Sequence, residues 1–300
     1  MIRYNHIRDN HVDSQPLTEA NLRLRIEDEK PGWLARAKSQ TQENALSDTP
    51  AFPSLWSEIK GVYIQIQCSK CAFCEQTLEG RISQDVEHFR PKGKVSAWAP
   101  SQILIDAGLV LNQPADEVGY KHLAYHPLNY AMSCKVCNTV FKGNLFPILK
   151  TRKVEAKKPP SIETEKPLLV YPIGDTDDDP EQIIAFSGWT PQAKSGNGFD
   201  RMRALSMIEL FGLNDWEQRK ELLVGRARQI QLLYLNLAAI DENSNPVVVR
   251  AAKANARRML LDSEPHSNCL RSFVRLYRED PAQAQAFFAE VSEYLQTISN

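Results

Sequence analysis

Cys71-Ala72-Phe73-Cys74 and, after 59 intervening residues, Cys134-Lys135-Val136-Cys137-Asn138 are the stretches on which the reading of this 300-residue chain turns. In each, two residues separate two cysteines, so one turn can present both sulfurs to a single tetrahedral ion. Four thiolates together make a closed structural zinc site. The gap between the pairs exceeds what a compact zinc ribbon needs. The ion is therefore expected to fasten two segments remote in sequence, and its affinity adds to the folding free energy. Cys68-Ser69-Lys70-Cys71 repeats the spacing, which leaves Cys68 as an alternative ligand. Polar flanks argue against four thiols serving as core filler, and tight cysteine pairs suit a metal better than disulfides in a reducing compartment. Cys269, alone on an apolar helical stretch, reads as packing.

Working outward, Asp85-Val86-Glu87-His88-Phe89-Arg90-Pro91-Lys92 lies between the pairs, and Asn129 and Asn138 flank the second. Residues 82–89 have a strand-like mixture closed by Pro91 and Gly93, which predicts a hairpin between Cys71 and Phe89. Leu55, Ile59, Val62, Tyr63 and Ile66 recur at helical spacing over residues 54–67, with Ser54 as the expected N-cap. Residues 99–119 read as an insertion holding a turn-rich loop over 112–119. After Pro127, a short helix is expected within 128–141, stopped by Gly143-Asn144.

The rest of the chain divides by composition. Residues 1–53 are polar and read as an arm with a short helix, 54–160 as the metal-bearing core, and 161–300 as a mainly helical region for packing and assembly. The stretch 150–166, rich in Lys, Pro and Glu, reads as a linker or wrapping loop. The acidic run Asp175, Asp177, Asp178 and Asp179 lacks the glycine and distal glutamate of a calcium loop and reads as a solvated turn. Beyond Phe199, three-four spacing predicts helices over 202–210, 216–239, 246–261, 269–277 and 282–297. No apolar run reaches membrane-spanning length and the start lacks an apolar signal core, so a cytoplasmic location with no membrane contact is expected. Net charge is −1, yet residues 68–158 hold thirteen Lys and Arg against eight Asp and Glu, a local excess that suits a polyanion.

Cys-Ala-Phe-Cys-Glu, then Val-Glu-His-Phe-Arg-Pro-Lys, then Leu128-Asn129, Cys-x-x-Cys-Asn, Lys142 and Phe146-Pro147 resemble the zinc-containing branch of HNH endonucleases. Within that branch, the chain is most similar to the nucleases of Septu and related retron-associated anti-phage defence systems. The likeness is dense over 68–147 and loose over 167–213, through Asp178-Asp179-Pro180-Glu181 and Ile208-Glu209-Leu210-Phe211-Gly212-Leu213. It implies an α+β, mainly α fold around a ββα-metal core pinned by Cys71, Cys74, Cys134 and Cys137. It also implies His88 as the general base, Glu87 and Asn138 as ligands of a catalytic divalent ion, and Asn129 as the holder of the loop bearing His88. Asp85, two residues from Glu87 on the same strand face, can supply the carboxylate instead. Tyr171 stands where relatives often carry an Asp, and His126 reads as structural.

The residue types suit phosphodiester hydrolysis. Oxygen donors match Mg²⁺ or Mn²⁺ better than zinc, and an imidazole titrating near neutrality can take a proton from water. Arg90, Lys92 and Lys142 are expected to contact backbone phosphates without reading sequence. The resemblance implies DNA as substrate and an ATPase partner of the ABC or SMC type, and the C-terminal helices suggest assembly, a homo-oligomer included. RNA, including tRNA, is an alternative substrate. A non-catalytic zinc module binding nucleic acid or protein is the competing class, against which Glu87, His88 and Asn138 speak.

Overall fold

The structure, a computed structural model, describes residues 1–7, 15–80, 84–111 and 115–298. Parts of the expected N-terminal arm, the beginning of the 82–89 strand and residues 112–114 of the expected loop lie outside the described residues. The fold is α+β and mainly α, with small two-stranded sheets set among helices. Among the described residues, no helix is long and apolar enough to cross a membrane.

The N-terminal part holds two helices where one short helix was expected, Glu19–Glu29 and Trp33–Leu46. Thr18 caps the first by accepting a hydrogen bond from the Asn21 N–H, satisfying one of the free donors of the opening turn. Gly32, at φ +80°, turns the chain into the second. Leu22, Ile26, Trp33 and Ala37 point inward. The helix expected from Ser54 is a 3₁₀ turn, Leu55–Ile59, followed by an α-helix, Lys60–Ile66. Ser54 makes no side-chain cap.

Asp85–His88, hereafter the histidine strand, pairs antiparallel with Tyr130–Ser133, the return strand, with His88 opposite Tyr130 and Asp85 opposite Ser133. This corrects the expected hairpin between Cys71 and Phe89: the partner arrives after more than forty residues of insertion rather than from the preceding knuckle. The expected helix within 128–141 likewise resolves into a 3₁₀ turn at Pro127–Asn129, the return strand, and a π-helix at Val136–Lys142, hereafter the asparagine helix. The return strand is buried at all four residues, so Tyr-Ala-Met-Ser shows no alternation to mark it as a strand. Gly143, at φ +47°, ends the asparagine helix and donates its N–H to the Asn138 carbonyl at 2.8 Å.

The stretch 150–166 wraps the core. Its short helix, Ile162–Glu165, carries a fully buried Glu165 that accepts from Tyr120 Oη (2.9 Å), the Lys153 N–H (2.8 Å) and Arg90 Nε (3.2 Å). Arg90 Nη2 also donates to the Pro160 carbonyl at 3.1 Å.

The acidic run is not a solvated turn throughout. Asp177 is buried, accepts from the Tyr171 N–H at 2.8 Å and pairs with Arg203 at 2.7 Å, and Asp178 binds the same guanidinium. A fully buried arginine needs such carboxylates, because an uncompensated interior charge is strongly unfavourable. Tyr171 fastens this turn to the metal-bearing core by donating from Oη to the Tyr130 carbonyl at 2.8 Å.

A hairpin, Ile184–Ser187 with Thr190–Ala193, precedes helices Gly198–Leu210, Lys220–Glu242, Pro246–Met259, Ser267–Glu279 and Pro281–Thr297. These lie close to the helices that spacing predicts. The second begins at Lys220 rather than Trp216, because Asp215 closes a turn by accepting from the Glu217 and Gln218 N–H groups. Cys269 packs in the interior. One apolar cluster runs from Met1 to Val291, and a smaller one gathers Leu104, Leu109 and Leu168.

Candidate metal centre and catalytic cleft

The sulfur atoms of Cys71, Cys74, Cys134 and Cys137 all lie within 4.8 Å of one another, and Cys74 and Cys134 are 3.9 Å apart. Four sulfurs about 2.3 Å from a common zinc ion would stand roughly 3.8 Å from each other, so the cluster is compatible with structural zinc. Cys68 is not part of it; positive φ at Cys68 (52°) and Ser69 (55°) turns the chain between helix and knuckle.

Each knuckle is built by its own backbone. The Cys71 N–H donates to Gln76 O (2.9 Å) and the Glu75 N–H to Cys71 O (3.1 Å), while the Cys137 N–H points at the Cys134 sulfur (3.4 Å). The two are tied across the sheet by the Ala72 N–H to Met132 O bond (2.9 Å). Buried Gln67 adds to the tie, donating to Lys70 O and Met132 O and accepting from the Met132 N–H. Arg219, at the start of the Lys220–Glu242 helix, donates from both terminal nitrogens to Cys137 Sγ at 3.5 Å and from Nη1 to Phe211 O at 2.6 Å. Its guanidinium also lies 5.2 Å from the centroid of Phe141, on the asparagine helix. Neither Gln67 nor Arg219 announces itself in sequence, since both sit in ordinary helical patterns.

The asparagine helix begins inside the second knuckle, so the sulfur cluster and Asn138 are fixed by consecutive residues. Above it opens a cleft of about 250 Å³ walled by Glu87, His88, Lys92, Asn138, Thr139 and Asn144 among others. His88, Glu87, Asn138 and Lys92 are thus brought to one place.

The His88 ring is buried and held edge-on by Trp56 (centroids 4.6 Å, 86°) and Tyr130 (5.2 Å, 87°). Its Nε2 lies 3.1 Å from the Ala124 carbonyl. A carbonyl only accepts, so Nε2 carries the proton and Nδ1 keeps its lone pair. Burial, and next the nearby Lys92, push the imidazole pKa well below its ordinary 6.5, which keeps the ring neutral at neutral pH.

Asn129 binds the turn that leaves His88. Its amide donates to Arg90 O and Leu123 O, both at 3.0 Å, and its oxygen accepts from the Arg90 N–H at 2.8 Å. The turn leaving His88 is thereby fixed on both sides.

Two of the three cations expected at phosphates are placed elsewhere. Arg90 is buried between Glu165 and the rings of Phe89, Tyr120 and Phe146. Lys142 is fully buried, ion-paired with Glu87 and 3.3 Å from the His88 carbonyl. Both basic side chains serve internal carboxylates, a use that residue type alone does not distinguish from a surface role. Lys92 remains at the cleft, its ammonium 4.6 Å from the Trp56 ring centroid.

The carboxylates differ. Burial pushes the Glu87 carboxyl pKa up while Lys142 opposes the shift. Asp85, half-buried on the same strand face, accepts from Asn138 Nδ2 at 3.1 Å. The donor set here is oxygen from Asp85, Glu87 and Asn138, which fits a hard divalent ion; Lys142 competes with such an ion for Glu87. His126 stands apart, its Nδ1 accepting from the Leu128 N–H at 3.2 Å as the cap of the Pro127–Asn129 turn.

No family model matches the chain, and no solved structure matches it. Among characterised proteins, it is similar to the Septu protein PtuB of Bacillus mycoides (strain KBAB4), with 30% identity over 128 residues. The similarity covers 43% of this chain and 38% of that protein, so the chain spans well under half the length of the relative it matches, and it is to a protein of the system that the motifs around the two cysteine pairs resemble.

Proposed function

We propose that this chain is a metal-dependent endonuclease of the HNH type, cutting DNA as the nuclease of an anti-phage defence complex. The observation that carries the reading is the convergence of a neutral, doubly clamped His88 with Asn138 and the Asp85/Glu87 carboxylates beside one cleft, on one strand and a helix rooted in the four-cysteine cluster. A binding module has no use for an imidazole held in one tautomer next to hard oxygen donors.

In this mechanism His88 Nδ1 takes a proton from water as the water oxygen bonds to phosphorus and the bond from phosphorus to the leaving oxygen breaks. Trp56, Tyr130 and the Ala124 carbonyl keep the ring in place, and Asn129 fixes the turn behind it. Lys92 offers positive charge to a backbone phosphate. Asp85, Glu87 and Asn138 would hold the divalent ion, which when bound supplies charge neutralisation at the non-bridging and leaving oxygens. Lys142 pairs with Glu87 and opposes the rise that burial imposes on its carboxyl pKa.

Similarity to a Septu protein supports the defence role and, with it, an ATPase partner of the ABC or SMC type. Exposed Leu232, Leu235, Val247 and Val248, on helices Lys220–Glu242 and Pro246–Met259, are where such a partner or a second copy would pack.

Plasmid and RNA cleavage with Mg²⁺ or Mn²⁺ tests the chemistry. Wild type should convert supercoiled plasmid, and His88→Ala should be slower by about 10² to 10⁴. Equal rates in both proteins, or none in either with both ions tried, would overturn the reading; cleavage of RNA alone would reassign the substrate.

A further inference from the structure

A second cavity, of about 480 Å³, lies between the helices Glu19–Glu29 and Trp33–Leu46 and the segment 122–126. Its cations are Arg23, Lys38 and Lys157, drawn from three separate parts of the chain, and among the described residues no carboxylate lines it. The buried imidazoles of His122, whose Nε2 lies 2.8 Å from the exposed Glu155 carboxylate, and of His126 complete the wall. His126 is 7% exposed, and because its Nδ1 accepts from the Leu128 N–H, its Nε2 carries the proton. That N–H has no hydrogen-bond partner among the described residues; the nearest carboxylate, Glu19, stands 3.5 Å away and is itself bonded to Arg23. A buried donor without an acceptor, in a cavity lined by Lys38, Lys157 and the Glu19-paired Arg23, is the complement of an oxyanion.

The cavity is joined to the cleft by aromatic rings. Tyr125 forms part of its wall and stacks on Trp56 (centroids 6.0 Å, 28°), and Trp56 touches both His88 and Lys92. Lys157 belongs to the wrapping stretch 150–166, for which catalysis gives no other use.

We infer that this cavity is a second phosphate seat, holding a backbone phosphate of the same nucleic-acid strand whose scissile bond is presented to His88. The inference rests on the nuclease reading above. Its size suits a nucleotide-sized group, and contacts of this kind orient a strand without reading bases. A free mononucleotide or inorganic phosphate shares the chemistry, so the test separates the sources.

Anisotropy of a labelled DNA duplex is measured over a salt series without added divalent ion, using the full chain, Lys38→Gln/Lys157→Gln and Lys38→Glu/Lys157→Glu. Both lysines are exposed, so folding should be retained, which melting curves check. Loss of two phosphate contacts should weaken binding by about tenfold or more and reduce the salt slope by about 2, more strongly for the Glu pair. In cleavage assays, KM should rise while kcat stays near wild type. Wild type that binds and cuts while both variants keep its affinity and slope overturns the second seat and leaves the nuclease intact. Unchanged DNA affinity in the variants together with lost binding of AMP or inorganic phosphate assigns the cavity to a free anion, and equally overturns it. A wild type that neither binds nor cuts nucleic acid removes the nuclease reading, and this inference with it.

Discussion

The sulfur cluster and the cleft above it share residues 134–138, yet they are opposite kinds of site. In the first, four soft donors lie within 4.8 Å of one another, a spacing compatible with one tetrahedral ion. In the second, hard donors stand at an open cleft and are already engaged, Glu87 by the ammonium of Lys142 and Asp85 by the amide N–H of Asn138. The difference teaches a division of labour. A closed site has no position left for substrate, so its contribution is placement; an open site can do chemistry only if something else makes it rigid.

The comparison breaks most completely at the cysteines. Cys137→Ser should lose bound zinc and cooperative folding together, since structural zinc in small domains accounts for roughly 10 kcal/mol or more of apparent binding energy. Metal analysis and thermal melting check this, and a variant that stays folded and active without zinc would show that placement does not depend on the cluster. A smaller effect is expected at the cleft. Lys142→Met leaves buried Glu87 without its cation and should cost about 3 kcal/mol by denaturant melting, with part of the loss recovered on adding Mg²⁺ or Mn²⁺. No recovery would mean that Glu87 does not take part in holding the ion. The mildest change is at the seam. Arg219→Gln removes two donors from Cys137 Sγ, and zinc transfer to a chelator should quicken by about tenfold with the fold kept. An unchanged transfer rate would leave Arg219 as a tie to Phe211 alone.

Sequence and structure agree where the chemistry is local. Two residues between two cysteines dictate a knuckle, and three-four spacing dictates the C-terminal helices, because both depend on neighbours along the chain. The nearness of Asn129 to the turn leaving His88 was legible for a related reason: the motif carries the two as a unit. The partner of the histidine strand was not, since the return strand is buried on both faces and lacks the alternation that marks a half-exposed strand. Arg90 and Lys142 were misplaced because a cation serving a buried carboxylate looks, in sequence, like one awaiting a phosphate. Which carboxylate lies against which amide is likewise a matter of three dimensions. Asp85 touches Asn138 only because the return strand lines up Ser133 opposite it and the asparagine helix follows directly.

Gly212 sits at φ +56°, and a Cβ there would run into the ring of Phe141. The ring lies three residues beyond Asn138, so a turn in the C-terminal region is the floor on which the asparagine helix rests. Any side chain at 212 would act as a wedge, tilting the helix at its far end while leaving every residue of the cleft unaltered in identity. A fragment cut near residue 160 would keep all the motif residues and still lose the surface that aims them.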